Sequence, residues 1–508
     1  MTNLRRIARR SPSALLGAIA ISGTVAASSG LLLTPRAAGA QARTGTIILR
    51  VTAANAPLSG AAVATETARG VTDQAGMATF KLPTGEHKFR VAPVGFRPES
   101  LAVFVGVGTT NVTVPVQPVP AMSAVLEAPI TAKREDRQAS SMSPTYVEVS
   151  GREALDAQLD RSPGTINELL DRVSGVRVQT LSAGSGGVGI RIRGMPARYT
   201  KLLSDGLPLL GATPEGQDPL QVSALDLGRV EVVPGVTSAL YGPTSLSGSV
   251  NLVSAPPTSP SEVIVNGTTL KASDIALFQT HTFSPEWAAT LLTGRHYESA
   301  ADPDGDGWAE VNGYKRVVVQ PRVYWSRSPT SSWFMTGGWT AENRRSGTFD
   351  GARLPDFNTF SDDADTRRGD AGTIGRIELD TNTLLTARAS MTREWRTRWF
   401  GDRRERDRRN EIFGDVSLTK SVGENVMIGG VALDRDQYAA LDTRGDDYRY
   451  TTPALYAEDT WSPERWFAVT SGARLDLQSE FGDFVSPRVS VLLRPSDAWN
   501  VRLSRANG

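Results

Sequence analysis

The sequence predicts a mainly β chain: a small β-sandwich, then an α/β unit, then a long antiparallel sheet of the transmembrane barrel type. Three observations carry that expectation. Short apolar runs divided by Pro, Gly and Asp fill 45–116, the pattern of a small sandwich. A β-turn-β stretch, Leu225 to Val253, is punctuated by Gly235, Gly242 and Gly248, placed where a backbone turns sharply or lies close to another. From Pro256-Pro257 onward, apolar and polar residues alternate in long runs, with aromatic residues towards the run ends.

Composition narrows the function classes. A chain of 508 residues divides into several domains. Lys plus Arg number 55 and Asp plus Glu 54, so no strong net field points to nucleic acid. There is no cysteine, which removes disulfides, thiolate metal sites and cysteine catalysis and suits an oxidising compartment. The histidines are His87, His281 and His296, and no two have ligand-like spacing. With no nucleophile, acid pair or metal cluster in view, the expectation is a protein that is not an enzyme and requires no cofactor.

Taken in order, residues 1–40 read as an export signal. Arg5, Arg6, Arg9 and Arg10 precede the small apolar stretch Ala14 to Leu33, and Ala38-Gly39-Ala40 offers a cleavage site before Gln41. The sandwich is expected over 43–118, with strands at Ala62-Ala64, Met77-Leu82, Lys88-Ala92 and Asn111-Val116. Its order of turns and strands resembles the carboxypeptidase regulatory-like domain, which implies an accessory unit without catalytic residues. Residues 119–143 are a linker. Within it Val125-Leu126-Glu127-Ala128-Pro129-Ile130-Thr131-Ala132 is extended and apolar; pattern alone leaves a spacer and a strand that docks on a partner's sheet edge equally open.

The α/β unit spans 144–255. Thr165-Ile166-Asn167-Glu168 reads as a capping box opening a helix with an apolar stripe of Ile166, Leu169, Leu170 and Val173, ended by Gly175. The glycine-rich run Ala183 to Gly189 is no phosphate loop, because a strand and not a helix follows it. Asp205-Gly206 signals a hairpin turn.

Here a resemblance becomes specific. The segments PGTINELLDRVSGVRV, IRIRGMPARYTKLLSDGLPLLG and LGRVEVVPGVTSALYGPTSLSGSVNLVS, in this order, resemble the plug domain of TonB-dependent outer-membrane receptors. The matching residues are Arg193-Gly194, Asp205-Gly206, Arg229 and Glu231 of the R-V-E-V strand, Gly235, Tyr241-Gly242, and Gly248 with Asn251. Pro234-Gly235-Val236 and Ser204-Asp205-Gly206 depart from the usual Arg-Gly-Pro and Ile-Asp-Gly of that family. The resemblance implies a cell outer-membrane location with the N-terminal domain in the periplasm. It further implies that TonB and its inner-membrane energising complex are partners, with Val125 to Ala132 as the Ton box. The ligand would be a siderophore, a cobalamin-like compound or a carbohydrate, transported actively across the membrane. The alternative is a receptor of the same fold that binds a ligand and signals or adheres without import.

The barrel region is expected over 258–508, in contact with outer-membrane lipid. Val317, Val319, Val323 and Trp325 fall on one face and Arg316, Gln320, Arg322 and Tyr324 on the other. At roughly 20 residues per strand and connection the region holds about 12 strands, whereas barrels enclosing a plug have ~22. The sequence is therefore expected to carry about half of such a barrel, with more strands encoded beyond Gly508. Asp302, Asp304, Asp306 and Gly307 fit positions of a calcium loop and Glu310 a further one, but Gly313 stands where the bidentate acid belongs; a structural calcium in an extracellular loop and a solvated acidic turn are both open. Arg344-Arg345, Asp362-Asp363 and the run Asp402 to Arg409 read as loop or rim charges.

Overall fold

The computed structural model describes residues 44–53, 56–58, 61–65, 68–92, 99–116, 148–159, 165–180, 188–209, 212–213, 216–217, 222–235, 245–269, 271–328, 330–349, 360–380, 382–443, 445, 447–464, 466–496 and 499–507. The expected export signal, the segment Val125 to Ala132, the run 183–187 and the Tyr241-Gly242 turn lie outside these residues.

Two four-stranded sheets make the N-terminal sandwich. One has Thr44–Ala53 at its centre, antiparallel to Met77–Pro83 and parallel to Thr109–Val116. The other runs Arg69–Val71, Ala62–Ala64, Gly85–Ala92 and Glu99–Val105. Alternation places Ile47, Leu49 and Val51 in a core with Phe80, Phe89 and Val91. The Glu99–Val105 strand had no clear sequence signal, since it follows directly on a Gly- and Pro-containing run.

In the α/β unit, Gly248–Ser254 is an inner strand of a four-stranded sheet. It pairs in parallel with Thr200–Ser204 and antiparallel with Leu227–Pro234, and Glu148–Ser150 completes the sheet. Every residue of Gly248–Ser254 is buried. Val250, Leu252 and Val253 enter apolar cores on its two faces, while the buried Asn251 and Ser254 are satisfied by hydrogen bonds to neighbouring segments of the unit. Gly248 is required: its φ is +139°, and a Cβ would overlap the Val233 carbonyl oxygen. Helices Arg152–Leu159 and Asn167–Asp171 pack Leu155, Ile166 and Leu170 against this sheet. The second helix starts later than the capping box implied. Ile166 is the N-cap residue and carries no side-chain cap; Thr165 accepts instead from the Asn167 amide at 3.1 Å. Ile166 is fully buried in the core, as the apolar stripe implied.

Thirteen strands, from Glu262–Gly267 to Trp499–Ala506, form one antiparallel meander in which each strand pairs with the next; the first and last strands are not paired with each other. At one end the connections are short, as at 329–330, 381–382 and 423–424; at the other they include the long loops 299–312 and 346–361. That asymmetry is the one between periplasmic turns and extracellular loops in outer-membrane barrels. Several strands run past the apolar band. Arg403 to Arg409, read as loop or rim charges, belong to the strand Arg403–Val422 at its long-loop end, and Arg344-Arg345 and Asp362-Asp363 are likewise strand-end residues at the rim.

Candidate functional site

The polarity of the long sheet is inverted relative to a soluble protein. Its outward face carries Val319, Met335, Met391, Val416, Val431, Leu455 and Val489, all exposed. Its inward face carries Arg316, Arg322, Glu342, Arg344, Arg388, Asp415, Arg474 and Asp476, all buried. In water this arrangement would leave apolar area unburied and charge desolvated; facing lipid outside and a polar lumen inside, both are satisfied. Aromatic residues mark two levels on the outside. Trp287, Trp325, Trp333 and Trp461 sit near the short turns, and Trp339, Trp395 and Trp399 sit towards the long loops.

Many of the inward charges are matched by a neighbour of opposite sign. Glu342 takes both Arg316 and Arg344, at 2.6 and 2.5 Å. Asp415 accepts from Arg388 at 2.8 Å and from the Tyr456 hydroxyl at 2.6 Å. Buried charges need such partners, because an unpaired one would cost several kcal/mol, order of magnitude.

The α/β unit sits against this wall. Its core is continuous with the sheet through Phe278, Leu292 and Val318. Leu207, Leu209 and Val253 pack on Tyr324, Phe334 and Ile374, and Leu203 and Val233 on Ile428, Ala432 and Tyr456. Polar links fix the register. Arg322 of the wall donates to Asp226 at 2.6 Å and lies 3.7 Å from Asp205. Arg152 bridges to Glu262 at 2.7 Å and donates to the Leu225 and Leu227 carbonyls. Lys201 faces Asp434 at 3.6 Å, and Ser390 and Thr392 donate to the Pro208 and Leu209 carbonyls.

The sequence motifs converge on one network inside this unit. Arg229 donates to Glu231 at 2.7 Å, and the Asn251 amide donates to the same carboxylate at 3.0 Å. Asn251 Oδ1 accepts from the Gly206 backbone at 2.8 Å. Asp205 accepts from the Ser254 amide and hydroxyl, at 2.8 and 2.6 Å. The turn itself has φ of +52° at Asp205 and +77° at Gly206, as a tight turn with two left-handed residues requires. It closes on the single bridge Ser204 to Leu207 and does not open a long hairpin, because the chain continues along the wall through Leu209. Burial pushes the Asp205 carboxyl above the usual carboxylate range; Arg322 and the Ser254 donors act against that shift. Arg193 and Gly194 form a second left-handed turn, with φ of +52° and +78°, and Gly235 a third at +94°. These motif residues shape and seat the unit. Asp226, the plug partner of Arg322, carried no sequence signal of its own, since its partner lies 96 positions away on another sheet.

The acidic loop brings its four carboxylates together: one oxygen each of Asp302, Asp304, Asp306 and Glu310 lies within 4.8 Å of the others. Asp302 also accepts from the Gly305 and Gly307 amides. Partial desolvation, then the neighbouring charges of Asp304, Asp302 and Asp306, raise the Glu310 carboxyl. An oxygen-only donor set of this kind suits a hard cation such as calcium.

Comparison with known proteins agrees with this architecture. Residues 140–249 match the TonB-dependent Receptor Plug Domain, and residues 266–508 match the TonB dependent receptor-like beta-barrel. The chain is 23% identical over 395 residues to an iron-regulated outer membrane virulence protein of Vibrio cholerae, covering 71% of this chain and 56% of that protein. It is 31% identical over 127 residues to the vitamin B12 transporter BtuB of Photobacterium profundum, covering 24% of this chain and 20% of that one. Among solved structures, the siderophore receptor PirA of Acinetobacter baumannii superposes with a TM-score of 0.57 at 16% identity, covering 73% of this chain and 61% of that one. The ferric citrate transporter FecA superposes with a TM-score of 0.53 at 17% identity, covering 73% and 63%. The chain thus spans little more than half the length of the V. cholerae relative. A plug seated on the polar inner wall of a lipid-facing sheet, and the two matches that between them run through both units, place this chain among the TonB-dependent receptors of the outer membrane.

Proposed function

We propose that the protein imports a scarce solute across the outer membrane, driven by TonB. The observation that carries this reading is the seat of the plug. It is held on the barrel wall by side-chain packing and polar links, Arg322 to Asp226 and Lys201 to Asp434 among them, and these non-covalent contacts are what a pull from the periplasm would release. The segment Val125 to Ala132 precedes the plug in sequence and is the proposed Ton box, which would pair with TonB by strand addition. The inner-membrane complex that energises TonB would supply the force. No step of this cycle makes or breaks a covalent bond in the ligand, so no catalytic residue is assigned.

Among siderophores, cobalamin-like compounds and carbohydrates, the relatives favour an iron chelate, since an iron-regulated protein and siderophore receptors are among them. Uptake of radioactive iron supplied on a panel of siderophores tests this, comparing cells with and without the gene; equal uptake across the whole panel would redirect the search to cobalamins and carbohydrates. For the acidic loop we propose calcium as an ordering ion, supported by the convergence of Asp302, Asp304, Asp306 and Glu310.

A further inference from the structure

The outward face of the sheet is apolar through its middle, but two neighbouring strands, Thr383–Phe400 and Arg403–Val422, carry a basic patch above that band. Register places the patch residues side by side. Arg404 lies opposite Trp399, Arg406 opposite Thr397, Arg408 opposite Trp395, and Asn410 opposite Arg393. All point to the same side as Met391, Ile412 and Val416, which are exposed members of the apolar band. The level is therefore that of the tryptophans at the edge of the band, where lipid headgroups lie.

Charge balance distinguishes these arginines from those inside. Arg316, Arg322, Arg388 and Arg474 on the inner wall each meet a carboxylate. Of the four outward arginines, Arg406 is paired, with Asp442 at 2.6 Å, and that one carboxylate also lies in the field of Arg404. Arg393 donates to the neutral Asn410 at 2.5 Å and its guanidinium lies 5.7 Å from the centre of the Trp395 ring. No carboxylate among the described residues is within ion-pair distance of Arg393, Arg404 or Arg408. Beside the patch a groove of about 500 Å³ opens between Trp395, Trp399 and Trp339, with Arg367 and Asp365 at its side.

We propose that Arg393, Arg404, Arg406 and Arg408, with Trp395 and Trp399, bind the phosphate-bearing headgroup of a lipid in the leaflet at the long-loop end of the barrel. The guanidinium groups would take the phosphate oxygens, for which their fork geometry is suited. The tryptophans would pack on the sugar or glycerol of the headgroup, and the acyl chains would descend along Met391, Ile412 and Val416. The proposal rests on the membrane reading of the outer face, not on the transported ligand.

The test is lipid binding to the purified protein in neutral detergent. The probes are lipid A carrying two phosphates, the same lipid dephosphorylated, and inorganic phosphate alone, followed by native mass spectrometry and by titration. The expected result is binding of the phosphorylated lipid that weakens at least roughly tenfold in the Arg404→Gln, Arg406→Gln, Arg408→Gln triple variant and with added salt, while the corresponding lysine variant keeps most of it. Equal binding of the dephosphorylated lipid, or equal binding by the glutamine variant, would overturn the proposal. Saturation by inorganic phosphate at the same concentration would also overturn it, since that would mark a soluble-anion site. Should the glutamine variant fail to fold, the wild-type comparison of phosphorylated with dephosphorylated lipid, and its salt dependence, decide the question alone; absence of any lipid binding by the wild type would likewise overturn the proposal.

Discussion

Arg322 of the barrel wall and Asp226 of the plug meet at 2.6 Å with both side chains almost wholly excluded from solvent. Removing one partner leaves the other charged, buried and alone. Arg322→Ala is therefore expected to destabilise the seating of the plug by about 3–5 kcal/mol, whereas replacing both residues by apolar ones of similar size costs far less. Limited proteolysis of the plug in the folded protein reads this directly, as faster cleavage in the single variant than in the double one. Equal protection in wild type and Arg322→Ala would show that the ion pair does not hold the plug.

Asp205 supplies a pH prediction. Its carboxyl titrates higher in the folded protein than in the unfolded chain because burial outweighs Arg322 and the Ser254 donors. The folded state then holds the proton more tightly, so stability falls as pH rises from the ordinary carboxylate value through the raised one. Asn tolerates the left-handed turn conformation and cannot titrate. The difference in unfolding free energy between wild type and Asp205→Asn, followed by denaturant titration over that acidic range, should change in this direction; a flat difference would contradict the assignment.

The outer face predicts a positional contrast. Val431 is 55% exposed on the apolar band, where lipid replaces water. Val431→Arg is expected to cost about 2–4 kcal/mol in a bilayer, and a charge change near the long loops about 0–1 kcal/mol. Unfolding of the bilayer-reconstituted protein measures both, and equal costs would argue against the lipid-facing orientation.

Calcium should tighten the 299–312 loop. Adding it is expected to protect that loop from protease, chelation to reverse the effect, and Asp304→Asn to weaken it. Protons compete for the same oxygens, and the raised titration of Glu310 moves that competition upward, so protection should fade on acidification. Protection unaffected by chelator would leave the cluster as a solvated acidic turn.

Much of this architecture was legible in local sequence. Asp205-Gly206 announced a left-handed turn by composition, and alternation placed Arg316 and Arg322 on one face and Val317 and Val323 on the other, as the buried and exposed faces confirm. Glu231 and Asn251 were visible as motif residues, but their shared hydrogen bond was not, because it depends on the register of two strands. Asp226 and Arg322 could not be paired from sequence, since their meeting is set by how one sheet docks on another. The start of the second helix was placed one residue early: Ile166 stands at the N-cap and Thr165 accepts from the Asn167 amide, a shift of one residue that local capping residues do not specify. For the charges from Asp402 to Arg409 the sequence left loop and rim open, because a polar run looks alike in a loop and in a strand that continues beyond the membrane; Arg403 onward is strand.

The import reading is tested most directly by deleting Val125 to Ala132 in cells that make the protein, then measuring surface binding and uptake of the same labelled ligand. Binding should be retained and energy-dependent uptake abolished. Uptake at the undiminished rate would contradict TonB-driven transport through this segment.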